Sequence, residues 1–406
     1  MPKTQLSILI SAVCLMGIVL YGLVGFSQSP QPSVRMTTNP PINQVVPFEA
    51  EATTPLGGLA VIGSGKYQPP VQFMLQAMDA QRQPLENAKI HLQILTPPKN
   101  PWFTTDFPIV EGTKLLDIEA TAPKGKLEFQ QLLPQRGTYQ FLLNVTPIVA
   151  NAFAPIQQTL SLTLHENPLK FRYFGILVVI LLVAGLGGGW VIGGQQRTQP
   201  GEIAPRRVRL LLSGAIIVAI ISLLIVTISA EMAEQGMPMS MSQMSNNEPS
   251  PTANQNMIKS QGFEAQLLGD VSATVGKVAS YQVKVNNIQT NQPATDIILN
   301  VTTTQLENNW IPFTYRGVPD SAGQLTWQQE FFDGAPHKVE VEVSPQPGTA
   351  RQFRPFQVSQ KVEVEGVAPP LRVRLTSLIY FIIILVVGLL IGLRLKRHRT
   401  QTTALN

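Results

Sequence analysis

Met237, Met239 and Met241 follow one another with one residue between them, Met244 lies three further on, and Met232 five before. A thioether is a soft, uncharged ligand that selects Cu(I) over hard cations. Because Cu(I) accepts two or three ligands, such a set can work in an unstructured chain. The surrounding segment, residues 231–260, is rich in Ser, Asn and Pro and reads as a flexible linker. The plainer alternative is a tether whose methionines suit the irregular, half-apolar boundary beyond a membrane helix.

Little else in the chain has the spacing that chemistry needs. His91, His165, His337 and His398 are scattered, and Cys14 is the one cysteine. That excludes a Cys/His zinc pattern and an intrachain disulfide. "IGSGKY" at 62–67 fails as a phosphate loop: Ala60 stands where the first glycine belongs, and Tyr67 where a magnesium-holding hydroxyl belongs. Glu340 with Glu342, and Glu363 with Glu365, lie in alternating runs and read as solvated strand faces. No catalytic residue, and no cofactor apart from the Cu(I) alternative, is expected, so the chain is not read as an enzyme.

What must position these residues is a membrane. The charged fraction is 14%, against roughly 25% in ordinary soluble domains. Four apolar, uncharged runs, Leu6–Phe26, Phe174–Gly194, Leu210–Ala230 and Leu375–Leu393, each approach the roughly 20 residues that a spanning helix requires. The first, within residues 1–27, reads as a retained signal anchor, with a cleaved signal peptide as the alternative. Placing the N-terminus inside puts Lys3, Arg197, Arg206, Arg207, Arg209, Arg394, Lys396, Arg397 and Arg399 on the cytoplasmic side. Arg35, Lys170, Arg172, Arg372 and Arg374 then fall outside, so the excess is inward, as membrane insertion favours. The surplus of five positive charges flanks apolar runs instead of forming a patch on a folded domain, and nucleic acid is not an expected partner.

Between the spans, residues 45–166 and 261–367 alternate with period two. "AKIHLQIL" puts Ile90, Leu92 and Ile94 on one face, and "GTYQFLLNVTP" does so for Tyr139, Phe141, Leu143 and Val145. Short alternating strands separated by turn residues, over about 110 residues, argue an immunoglobulin-like β-sandwich in each segment. The segments also resemble each other: Gly125–Pro147 lies over Gly323–Pro345 without a gap, with Gly125/Gly323, Leu127/Leu325, Gln130/Gln328, Gln131/Gln329, Val145/Val343 and Pro147/Pro345 identical. The expected architecture is therefore four transmembrane α-helices and two all-β sandwiches, in a duplicated span–sandwich–span arrangement. Its parts are residues 1–27, 45–166, 172–194, the basic loop 195–209, 210–230, 231–260, 261–367, 375–393 and the basic tail 394–406. Gly185, Gly189 and Gly193 recur every fourth residue, as do Gly388 and Gly392, which suits close helix approach.

Asp79, Pro84, Leu85 and Ala88, followed by Gly137 and Tyr139, resemble the "D-x-x-x-x-P-L-x-x-A-x-V" strand pair and "G-x-Y-x-x-x-V" strand of bacterial extracytoplasmic immunoglobulin-like modules of the YtkA-like and FixH-like kind. That resemblance implies copper delivery or oxidase assembly, although the Met–Gly–His signature of some members is absent. The function expected is a non-catalytic scaffold or assembly factor in a prokaryotic inner membrane. It would display its sandwiches outside to a membrane or extracytoplasmic protein partner. Cu(I) capture by the methionines is the alternative.

Overall fold

The computed structural model describes residues 31–48, 70–100, 102, 105, 107–166, 168–193, 208, 214, 256–349 and 352–403. The apolar run 6–26, the run 210–230 apart from Gly214, the loop 195–209 apart from Val208, the turn 62–67 and the methionines 232–244 lie outside the described residues.

Among the described residues, sixteen strands form two eight-stranded sheets. One runs β1 (Ser33–Asn39), β2 (Val71–Met78), β5 (Lys126–Gln131), β13 (Phe313–Gly317), β12 (Ile297–Gln305), β15 (His337–Pro345), β16 (Phe356–Glu365) and β10 (Ser272–Thr274). The other runs β7 (Ile156–Leu164), β6 (Gly137–Pro147), β3 (Ala88–Leu95), β4 (Lys114–Ala122), β14 (Gln324–Glu330), β11 (Val278–Asn287), β9 (Phe263–Gly269) and β8 (Asn256–Ser260). Every neighbour pair is antiparallel except β10 with β16. Among the described residues two long apolar helices accompany the sheets, α1 (Pro168–Ile192) and α2 (Leu371–Thr403). Both are long and apolar enough to cross a membrane.

Period-two patterning decides which side chains meet between the sheets. Ala88, Ile90, Leu92 and Ile94 of β3 are buried, as are Tyr139, Phe141, Leu143 and Val145 of β6. On β16, Phe356, Val358, Val362 and Val364 turn inward while Lys361, Glu363 and Glu365 stay in solvent. Aromatic pairs sit at the centre of each sheet: Phe73 stacks on its cross-strand neighbour Phe129 at 5.0 Å, and Tyr281 on Trp327 at 5.4 Å.

The sequence reading expects two separate sandwiches; the structure instead runs both sheets through both segments. β4 and β5 form a tight turn at Gly125 (φ +62°) but belong to opposite sheets. Each therefore leaves one edge open. The equivalent strands of the other segment, β13 and β14, turn at Gly323 (φ +68°) and do the same. The open edges match: β5 pairs with β13 from Phe313↔Gln131 to Arg316↔Glu128, and β4 with β14 from Thr326↔Glu119 to Gln329↔Leu116. Pairing satisfies backbone groups that an exposed edge would leave unpaired. Exchanging the segments carries the order β1-β2-β5-β13-β12-β15-β16 onto β9-β11-β14-β4-β3-β6-β7.

A buried tyrosine fixes the turn into β6. Tyr139 Oη donates to the Gln135 carbonyl at 2.9 Å and accepts from the Gln135 N–H at 2.9 Å, the corner found in immunoglobulin-like sandwiches. Tyr139→Phe leaves both Gln135 groups unsatisfied in a site with no solvent access, which costs about 1–3 kcal/mol. Urea unfolding of the full chain in detergent should show that loss, while Thr138→Val on the exposed side of the same strand should leave the midpoint close to that of the parent.

Candidate functional site at the helix-proximal end

β7 leads into α1 and β16 into α2 within a few residues, so both helices leave the sandwich from one end. The helices touch through their glycines. A Cβ at Gly185 would collide with the Leu385 carbonyl, and one at Gly189 with the Leu389 carbonyl. A Cβ at Gly388 would meet the Leu182 carbonyl, and one at Gly392 the Leu186 carbonyl. Gly193 is looser, facing the Lys396 stem, whose Nζ lies 5.1 Å from the centre of the Trp190 ring. In lipid, where tails are as apolar as leucine, such backbone-to-backbone packing is what holds helices together. Exchanging the helices turns the Gly185–Leu385 contact into Gly388–Leu182, so the pair is nearly symmetric.

The same end of the sandwich collects loops from both segments: residues 96–100 and 107–113 of the β3–β4 loop, with 132–136, 306–312 and 331–336. Four aromatic residues from these loops and the preceding segment plug the seam. Phe48 lies 4.7 Å from Trp310 and 5.7 Å from Phe332, and Phe107 lies 5.3 Å from Phe332. Half-buried polar groups also bridge the two segments, with Glu330 the one that is fully buried. Thr113 Oγ1 donates to Glu330 Oε2 at 2.6 Å, and Lys114 Nζ donates to Gln328 Oε1 at 3.0 Å and to Asp117 Oδ2 at 2.6 Å. Asp117 Oδ1 lies 2.7 Å from His91 Nε2. Within the first segment Thr105 donates its hydroxyl to Glu111 Oε1 at 2.7 Å, and Gln135 Nε2 donates to the Val110 carbonyl at 3.1 Å. A cavity of about 580 Å³ opens alongside, walled by Pro97, Glu111, Arg136, Glu166 and Phe171.

Burial dominates the electrostatics here. It pushes the Glu330 carboxyl up to about 7 despite the Thr113 hydrogen bond, and Glu330 Oε1 has no hydrogen-bond partner among the described residues. Burial raises Asp333 as well, opposed by Gln305 and the Gly334 amide, and it holds His337 down at about 4, opposed by the Ala335 carbonyl. At Asp117 burial again acts upward, but the Lys114 and His91 hydrogen bonds outweigh it and keep the carboxyl below its usual range. Glu330 is only 4% exposed, so its charged form loses hydration that the Thr113 hydroxyl only partly replaces. Chemically this is a pH-sensitive joint between segments.

The five glycines singled out by spacing thus meet across one helix pair, while Met232, Met237, Met239, Met241 and Met244 fall outside the described residues. Among the described residues no group of three or more His, Cys, Asp or Glu side chains is placed to hold a metal. Sequence reasoning passed over Glu330. The available signal was its position in "WQQEFF", an acidic residue running straight into two phenylalanines.

Neither a known protein family nor a curated protein matches this sequence. Solved structures resemble it distantly. A copper-bound variant of FetP from uropathogenic Escherichia coli is 12% identical, with 27% of this chain and 95% of that chain covered and a TM-score of 0.20. Invasin, a bacterial integrin-binding protein, is 8% identical over 82% of this chain and 39% of its own, at 0.19. The Yersinia pseudotuberculosis adhesin InvE is 10% identical over 82% and 61%, at 0.18. The chain spans less than two thirds of either of the last two proteins. These are remote likenesses to bacterial β-sandwich modules, and they say nothing of what this chain binds.

Two outcomes follow from the geometry. Gly189→Leu must push α1 off the Leu389 carbonyl and should cost about 1–3 kcal/mol by overpacking. Gly187→Leu, at a glycine with nothing within 4 Å among the described residues, should leave thermal stability unchanged, so the difference between the two isolates the contact. Because the folded Glu330 carboxyl binds its proton more tightly than the unfolded one, its stabilisation is complete below about pH 4.5 and is lost as pH rises through about 7. Glu330→Gln should remove that loss, so unfolding free energies of variant and parent should diverge by on the order of 3 kcal/mol between pH 5 and pH 8, in favour of the variant.

Proposed function

We propose that this chain is a non-catalytic, membrane-anchored scaffold or assembly factor. It presents two joined immunoglobulin-like halves outside the cytoplasm, with both termini inside. The observation that carries the reading is the coupling of platform to anchor. Two short connections tie the sheets to a helix pair packed through its glycine backbones. The outer faces of that pair expose Val179, Ile180, Val183, Ile379, Ile382, Ile383 and Leu390. Apolar side chains exposed along about 28 Å of helix suit hydrocarbon and not water. Arg394 and Lys396 at the far end of α2 suit the inner surface.

We further read the two halves as products of one duplicated span–sandwich–span unit. The matching strand order, the Gly125–Pro147 and Gly323–Pro345 match, and the interchangeable helix contacts support it. A protein partner would meet the end of the sandwich remote from the helices. There Ile148 and Val149 from the first half and Ile288 from the second stand exposed on turns. Cu(I) capture by Met232, Met237, Met239, Met241 and Met244 rests on their spacing alone and is the competing reading.

The test uses the full chain in native membranes, with a photo-reactive amino acid at Val149 and, separately, at Ile288. The scaffold reading expects the same discrete adduct from both positions; no adduct from either overturns it. A Cu(I) competition titration on the purified full chain, beside a version with the five methionines changed to leucine, decides the alternative. Equal weak binding by both is expected. Tight stoichiometric binding lost in the leucine version would replace the scaffold with copper handling.

A further inference from the structure

The β3–β4 loop reaches toward the helices at an unexpected depth. Trp102 is 68% exposed, whereas Trp310 and Trp327 are 9% and 1% exposed. Its carbonyl accepts a hydrogen bond from Tyr380 Oη at 3.0 Å. Tyr380 lies nine residues into α2, about 13 Å along the axis at 1.5 Å per residue. It is also beyond Arg372 and Arg374, the last charges before the apolar run. The loop therefore passes the charged collar of the helix and reaches the level of its first apolar turns.

The described residues around Trp102 are fixed by hydrogen bonds and ring contacts. On one side of the loop Thr96 Oγ1 donates to the Val110 carbonyl at 2.6 Å, and Thr113 N donates to Thr96 Oγ1 at 2.8 Å. Phe107 is locked into the aromatic plug, and Asn100 Oδ1 accepts from the Trp102 N–H at 2.9 Å. An indole with an apolar body and one N–H is the side chain best suited to the headgroup boundary, where tyrosine also accumulates. Lys99, exposed on the same loop, would face anionic headgroups.

We propose that the β3–β4 loop carries a membrane-interface anchor, with Trp102 seated in the headgroup zone of the bilayer that α1 and α2 cross and Lys99 beside it. The proposal rests on the membrane reading above. It makes the loop a third attachment that stops the sandwich tilting on its helix pair.

The experiment uses the full chain reconstituted in phosphatidylcholine and phosphatidylglycerol vesicles, with Trp190→Phe, Trp310→Phe and Trp327→Phe leaving Trp102 as the single fluorophore. Phenylalanine at 327 repeats the aromatic that the other half carries as Phe129. Trp102 emission should be blue-shifted, shielded from iodide, and quenched more by a nitroxide near the headgroup than by one deep in the acyl chain. A second chain, with Cys14→Ser and Trp102→Cys carrying an environment-sensitive dye, keeps the core tryptophans and should show the same order of quenching. Alkaline extraction of the same vesicles separates the two failures. A chain that stays in the bilayer while position 102 is fully open to iodide and untouched by nitroxide lipid overturns the anchor alone. A chain that is extracted overturns the membrane reading and the anchor with it.

Discussion

The arrangement depends on four open strand edges that complete one another. β4 and β5 part into different sheets at Gly125, and β13 and β14 part at Gly323, so neither half can close its own ladders at the seam. An unpaired edge in contact with apolar surface is costly, because each bare N–H and C=O has lost water without gaining a partner. Joining β5 to β13 and β4 to β14 removes all four edges at once. The seam then becomes core: Phe129 lies between Phe73 and Tyr315 in one sheet, and Trp327 between Tyr281 and Ile118 in the other.

That joint determines what happens at the helix-proximal end. Because both sheets continue across it, the ends of β7 and β16 are held at a set separation, and α1 and α2 start where their glycine faces can meet. Loops from the two halves are brought over one another and bury Phe48, Phe107, Trp310 and Phe332 as a unit. The same closure strands Glu330 away from water with one hydroxyl as its partner, and that burial raises its carboxyl above the usual range. Sheets, loops and helix pair are thus connected through the one joint.

Much of this was readable from residue order. Alternation located the inward residues of β3, β6 and β16, because a strand has only two faces and the core accepts only one kind of side chain. Apolar runs 174–194 and 375–393 located two helices, and fourfold glycine spacing located their contact stripe, since residues four apart share a helix face. The seam was not legible. Periodicity reports which face of a strand is buried but not which strand lies beside its edge, so two separate sandwiches and one joined pair are written with the same pattern. Glu330, Thr113, Trp102 and Tyr380 were missed for a related reason: they meet across more than two hundred residues, and nothing local marks them.

What the sequence determined by itself is whatever follows from a repeat along one strand or helix: burial faces, span candidates, the turn glycines and the segment-to-segment match. What only the tertiary structure decided is adjacency, namely that the open edges of one half are the missing neighbours of the other and that a loop tryptophan reaches a helix tyrosine. Backbone hydrogen bonding is blind to side-chain identity, and so the choice of edge partner is left to the packing of the whole chain.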